Sequence, residues 1–181
     1  LSDARLAYAD LTEADLTDSD LSEASLHSAN LTEAKLSMSN LSKANLDSAN
    51  LVRADLTKAN LSSSKLVYAN LKGADLTDAD LTDADLTSAD LDSADLIGAN
   101  LTGAKVSMAT LREAHLKGAN LKGANLRFAS LKGAGLEEAN LKGTDLTGAD
   151  LSRADLTGAK LDGAKFHKTT MPDGSVSKTS T

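Results

Sequence analysis

Ala74-Asp75-Leu76-Thr77-Asp78-Ala79-Asp80-Leu81-Thr82-Asp83-Ala84-Asp85-Leu86-Thr87-Ser88 is three copies of one five-residue unit. Outward from it, a leucine recurs every five residues from Leu1 to Leu161, broken in type only by Val106, and Phe166 takes the next place. Of 34 central sites, 32 are leucine. Self-similarity of this strictness sets architecture ahead of local propensity.

With the leucine called position i, the residue at i−2 is Ala except at Ser19, Ser39, Ser64, Thr144 and Thr169. At i−1, Asp or Asn fills 22 of the 34 sites, and the positions at i+1 and i+2 are mostly polar or Gly. On an α-helix, five steps of roughly 100° carry successive leucines about 140° around the axis, so no apolar stripe forms. On a strand of period two, successive leucines face opposite sides. A short extended piece followed by a bend every five residues does return each leucine to one interior. Asp and Asn suit such bends, because their short side chains bond nearby backbone. The reading is an all-β solenoid. The spacing leaves the number of units per coil open: Tyr8 and Tyr68 are 60 residues apart, a multiple of both 15 and 20.

These A-(D/N)-L-x-x units resemble the pentapeptide-repeat family over about residues 1–170. The resemblance implies a right-handed quadrilateral β-helix with four pentapeptides per coil and the i and i−2 side chains inside. At twenty residues per coil, residues 1–170 make about 8.5 coils, and at a strand spacing of ~4.8 Å the rod is roughly 40 Å long. Residues 171–181 are expected to form a closing turn and a disordered tail, with Pro172 removing a donor and Asp173-Gly174 marking the turn. The Met171-Pro172-Asp173-Gly174 ending is similar to endings in family members from photosynthetic bacteria.

The chain has no cysteine, which excludes disulfides and thiolate chemistry. No apolar run reaches transmembrane length, so no membrane insertion is expected. The chain begins at Leu1, already inside a repeat. Leu1, Leu6 and Leu11 are therefore expected to meet an adjoining domain, another protein, or a second copy stacked end to end. The cytoplasm is the expected compartment, with the periplasm and the thylakoid lumen left open.

Chemistry, if present, must lie on outward positions. His27, His115 and His167 are too far apart to form a metal site or dyad and read as isolated surface residues. Residues 73–100 hold eight acids and no base, including Asp75, Asp80, Asp85 and Asp90 at the turn position. This band reads as turn-favouring aspartates or an acidic docking face; a calcium array would need the glycine-rich nonapeptide that this segment lacks. Residues 101–135 reverse the sign, with six bases against Glu113 alone. Five of the six, Arg112 to Lys132, fall at successive i+1 sites and girdle the rod. A girdle without aromatic interleaving does not suit nucleic acid, and the two bands are expected to balance across coils. Tyr68, Met108 and Phe128 share one i+2 column and are candidate partner contacts, with Met108 and Phe128 expected to touch. All ten glycines at i+2 lie at or after Gly73, so the bend is expected to change geometry there.

No cofactor, metal or catalytic group is expected, since a filled rod offers no converging site. The expected function is a non-catalytic scaffold or protein-interaction module. The alternative is DNA mimicry: some members of the family resemble B-DNA in size and charge and act on type II topoisomerases such as gyrase. The net charge of −7 is compatible with that reading. The basic girdle, the polar Ser/Thr tail and the single central Phe166 count against it.

Overall fold

The computed structural model describes residues 1–178, and none of them is helical. The pentapeptide is a turn plus one bridge. The N–H at i−2 of the following unit donates to the carbonyl of each central residue from Leu1 to Leu161, as Ala24 does to Leu21 at 3.1 Å and Ala54 to Leu51 at 3.0 Å. Parallel bridges then join each i−1 residue to the one twenty positions on, from Arg5 with Ser25 to Asp150 with Thr170. Twenty residues are four pentapeptides.

Backbone accounting explains the composition of the unit. In a typical unit, Leu26 N–H donates to Asn45 O at 2.7 Å, Ser28 N–H to Asp47 O at 2.9 Å, and Asn45 N–H to Ala24 O at 2.9 Å. With the turn bond, four of the five N–H groups are used, leaving only that at i+1. At all 22 Asp/Asn sites, the side-chain Oδ1 at i−1 accepts that last N–H, at 2.8 to 3.3 Å. A hydrogen bond of this kind contributes about 0.5–1.5 kcal/mol net, so this is why Asp or Asn recurs there. Where i−1 is Lys65 or Thr110, an Asp at i+1 of the preceding coil substitutes. Asp47 caps Val67 N–H and Asp92 caps Arg112 N–H, each at 2.9 Å.

Inside, every leucine from Leu21 to Leu101 and from Leu111 to Leu151 is fully buried, and so is Val106. Four of the five polar residues at i−2 turn their hydroxyls onto carbonyls: Ser39 to Leu36, Ser64 to Leu61, Thr144 to Leu121 and Thr169 to Leu146, all at 2.7 Å; the buried Ser19 hydroxyl has no partner among the described residues. Leu6, Leu11 and Leu16 at one end, and Leu156, Leu161 and Phe166 at the other, are half-buried because only one coil flanks them.

Two expectations are corrected. The bend does not change near residue 73. All 34 i+2 sites have positive φ, between 54° and 62° for other residues and between 65° and 70° for the ten glycines. The shared hydrogen-bond pattern imposes the left-handed conformation on whatever residue stands there; glycine merely adopts it at lower cost. Nor does the chain trail off directly after Gly174. Val176 pairs antiparallel with Thr170, Ser177 N–H donates to Thr169 O at 2.8 Å, and Ser177 Oγ donates to Phe166 O. The rest of the expected tail, residues 179–181, lies outside the described residues.

Candidate functional site

Outward side chains stand in columns that repeat every twenty residues, so neighbours in a column belong to successive coils. The acidic and basic bands meet across coils. Lys105 reaches Asp85 at 3.4 Å, Arg112 binds Asp92, and His115 Nδ1 lies 4.0 Å from Asp95. Asp75, Asp80, Asp85 and Asp90 are all half-buried and each caps a turn amide, which accounts for their recurrence without a partner. Burial pushes the Asp85 carboxyl up, but hydrogen bonds from Thr87 and the Lys105 ammonium outweigh it and hold the carboxyl below the ordinary range.

Asp92 is the exception among the acids, with 6% of its surface exposed. Burial opposes its ionisation, yet Arg112 donates from its backbone N–H, its Nε at 2.9 Å and its Nη2, and the carboxyl stays ionised below the usual range. The same contact raises the Arg112 guanidinium.

Tyr68, Met108 and Phe128 stay on one column, and all three are exposed. The Phe128 ring does not stand free. It lies over Gly148, where an added Cβ would meet ring Cδ1 at 2.5 Å. Arg127 covers the ring at 5.5 Å and is itself tethered to Asp145 at 3.4 Å. The column pairs Phe128 with Met108 on the preceding coil; the glycine twenty residues later is the signal for the opposite lean. The same lean places Asp78 beside Gly98 and Glu113 beside Gly133.

The histidines do not converge, but His27 is not isolated. Tyr8 and its Nε2 lie 3.2 Å apart with the rings edge-on, and its Nδ1 is 3.1 Å from Asp47 O. Among the described residues, no group of His, Asp or Glu is arranged to hold a metal ion. No helix is long and apolar enough to cross a membrane.

One concavity stands out. A cleft of about 340 Å³ has four cations, Lys72, Arg112, Lys132 and Arg153, set around Asp92 and Glu113. The period hides it, because Arg112 and Lys132 read as parts of the girdle while Lys72 and Arg153 fall outside it; a step of twenty along the sequence stacks residues 72, 92, 112 and 132. A smaller hollow of about 170 Å³ lies between Ile97, His115 and Glu137, above Gly135.

A chain that bridges to itself in parallel every twenty residues and buries one leucine per bend is a β-helical solenoid. The chain belongs to the pentapeptide-repeat family: the model of pentapeptide repeats matches eight copies, over residues 1–37, 39–78, 79–118, 107–143 and 136–171. Among solved structures, it is similar to HetL, a pentapeptide repeat protein involved in heterocyst differentiation regulation from the cyanobacterium Nostoc sp. strain PCC 7120. That chain is 41% identical, with 97% of this chain and 86% of HetL covered and a TM-score of 0.38. AT2G44920, a pentapeptide repeat protein from the Arabidopsis thaliana thylakoid lumen, is 32% identical over 56% of this chain and 71% of its own, with a TM-score of 0.55. QnrB1, a plasmid-mediated fluoroquinolone resistance protein, shares the fold at 22% identity, over 82% of this chain and 79% of its own, with a TM-score of 0.59. Curated protein sequences gave no match.

Proposed function

We propose that the protein is a non-catalytic scaffold or protein-interaction module, displayed on a right-handed, four-sided rod of about 8.5 coils. The observation that carries this reading is the separation of tasks within the repeat. Positions i, i−2 and i−1 supply the core and the amide cap, so outward residues at i+1 and i+2 are free to vary without disturbing the backbone. Tyr68, Met108 and Phe128 are the proposed contact column, with Asp75, Asp80, Asp85 and Asp90 as a flanking acidic strip. The half-buried Leu6, Leu11 and Leu16 of the first coil are, on the same reading, a further apolar surface for a partner.

The regulatory role named for HetL is compatible with an interaction module. The inward Leu and Ala are fixed by the core, however, and these say nothing about which partner the outward faces meet. The test is site-specific photo-crosslinking in the natural full-length protein. A crosslinker at Phe128 should yield a discrete adduct that one at Ser63, on another face, does not. A monodisperse protein with no adduct from either position would overturn the reading. A gyrase supercoiling assay separates it from DNA mimicry, since a scaffold neither inhibits nor protects the enzyme.

A further inference from the structure

The chain carries a formal charge of −7, yet this cleft is positive: four cations against two carboxylates leave +2. Asp92 does not oppose an incoming anion, because its carboxylate is buried and occupied by Arg112. Glu113 also lines the cleft, its Cγ lying 3.4 Å from where a Gly133 Cβ would stand. Lys72, Lys132 and Arg153 have no ion pair within 4.0 Å among the described residues, and each is exposed. Lys132 and Arg153 stand on successive coils, about 4.8 Å apart along the axis. Ser93, with its short side chain, leaves the middle of the cleft open and adds a hydroxyl.

We propose that this cleft binds a single phosphate group, with Lys132 and Arg153 as its main ligands and Lys72, three coils before Lys132, adding to the positive field at the far end of the cleft. A phosphate carries a charge of about −1.5 to −2 at neutral pH, which balances the cleft, whereas a lone carboxylate leaves it half-compensated. A guanidinium offers a planar fork to two phosphate oxygens, and a lysine adds a point charge from another direction. A nucleic-acid backbone is a poor fit, because the column ends at Pro172 and offers no extended run of cations. The site stands whether or not the rod serves as a scaffold.

The probe is inorganic phosphate, titrated into the ¹⁵N-labelled protein at low ionic strength and pH 7.5. Saturable amide shifts are expected at Ser93, Glu113 and Gly133. Lys132→Ala and Arg153→Ala, both at exposed sites, should each weaken binding about tenfold or more while leaving the remaining spectrum in place. Lys122→Ala, on a different column, should change affinity by less than about twofold. A parallel titration compares a peptide bearing one phosphoserine with its unphosphorylated twin. Tighter binding of the phosphopeptide than of free phosphate assigns the group to a protein, and equal binding assigns it to a small molecule. Shifts that do not saturate, or an equal loss in Lys122→Ala, would overturn the proposal by showing only diffuse attraction.

Discussion

From Asp3 to Tyr68 every i+2 site holds a residue with a side chain, whereas ten of the sites from Gly73 to Gly163 are glycine, and both regions bend with the same sign of φ. A non-glycine residue held in the left-handed region costs roughly 1–2 kcal/mol. The first region therefore bears that cost at all of its bends, and the second at only half of its own. The difference also changes the surface. Where glycine follows a larger residue in the column, the earlier side chain lies down across it, as Asp78 does at Gly98 and Phe128 at Gly148. The later region is thus less strained and has more of its outward side chains fixed against backbone. The same backbone accommodates both, which shows how far the hydrogen-bond ladder overrides residue preference.

The core should not know this difference. Leu36→Ala in the first region and Leu116→Ala in the second both remove a fully buried side chain from the same position in the repeat. Each is expected to cost about 2–5 kcal/mol, and the two to agree closely, in urea unfolding at one temperature. A clear difference between them would show that the regions differ in packing as well as in their bends. Next in size is the bend itself. Gly118 has φ of +67° and open space where a Cβ would go. Gly118→Ala should therefore cost about 1 kcal/mol, the backbone strain less what a stiffer unfolded chain returns. Ser63→Ala, at an exposed bend already held at +57°, should stay within about 0.5 kcal/mol. Equal effects at the two sites would break the comparison.

How much of this was legible follows from where the information sits. The central leucines, the small residues at i−2 and the turn role of Asp and Asn are written once per unit, so reading them needs only the period. The return after twenty residues was not fixed by spacing, because every outward column is too irregular to select it over fifteen. The glycine asymmetry was visible but misread: glycine permits positive φ, and that permission says nothing about neighbours such as Tyr68 and Arg153, which the ladder forces to φ of 59° and 62°. Asp92 looked like one more acid of the band. Its burial and its substitution for the missing cap at Thr110 exist only once residues 92 and 112 are stacked. The cleft around it belongs to the same kind of information, carried by residues twenty apart.

Acid should separate the regions by way of their caps. Hydrogen bonds from the following Thr or Ser hold Asp10, Asp15 and Asp20 below the ordinary value of 3.8 at fully exposed sites. For Asp85, Asp145 and Asp150, burial opposes the shift, but cap hydrogen bonds and nearby Lys or Arg outweigh it. A depressed carboxyl contributes stability that is complete above its unfolded value and is lost as pH falls through the lower folded value. Urea midpoints should therefore hold level down to about pH 4 and decline below it. Asp85→Asn keeps the Oδ1 acceptor and removes the proton-binding group, so it should flatten that decline; Asp20→Asn, at a fully exposed site, should flatten it less.

The smallest effect tests the strain directly. Lys58 is exposed, sits at φ of +56° in the first region and makes no ion pair among the described residues. Lys58→Gly relieves roughly 1–2 kcal/mol of backbone strain. It also loosens the unfolded chain, which takes back about 0.4–1 kcal/mol. The net should be a gain of a few tenths of a kcal/mol up to about 1 kcal/mol. Repeating the change at Lys168, also at an exposed i+2 site and at +54°, should give a similar gain if strain belongs to the residue at the bend. A gain at Lys58 with none at Lys168 would instead place the difference in the surrounding coils, and the contrast between the two regions would no longer reduce to glycine.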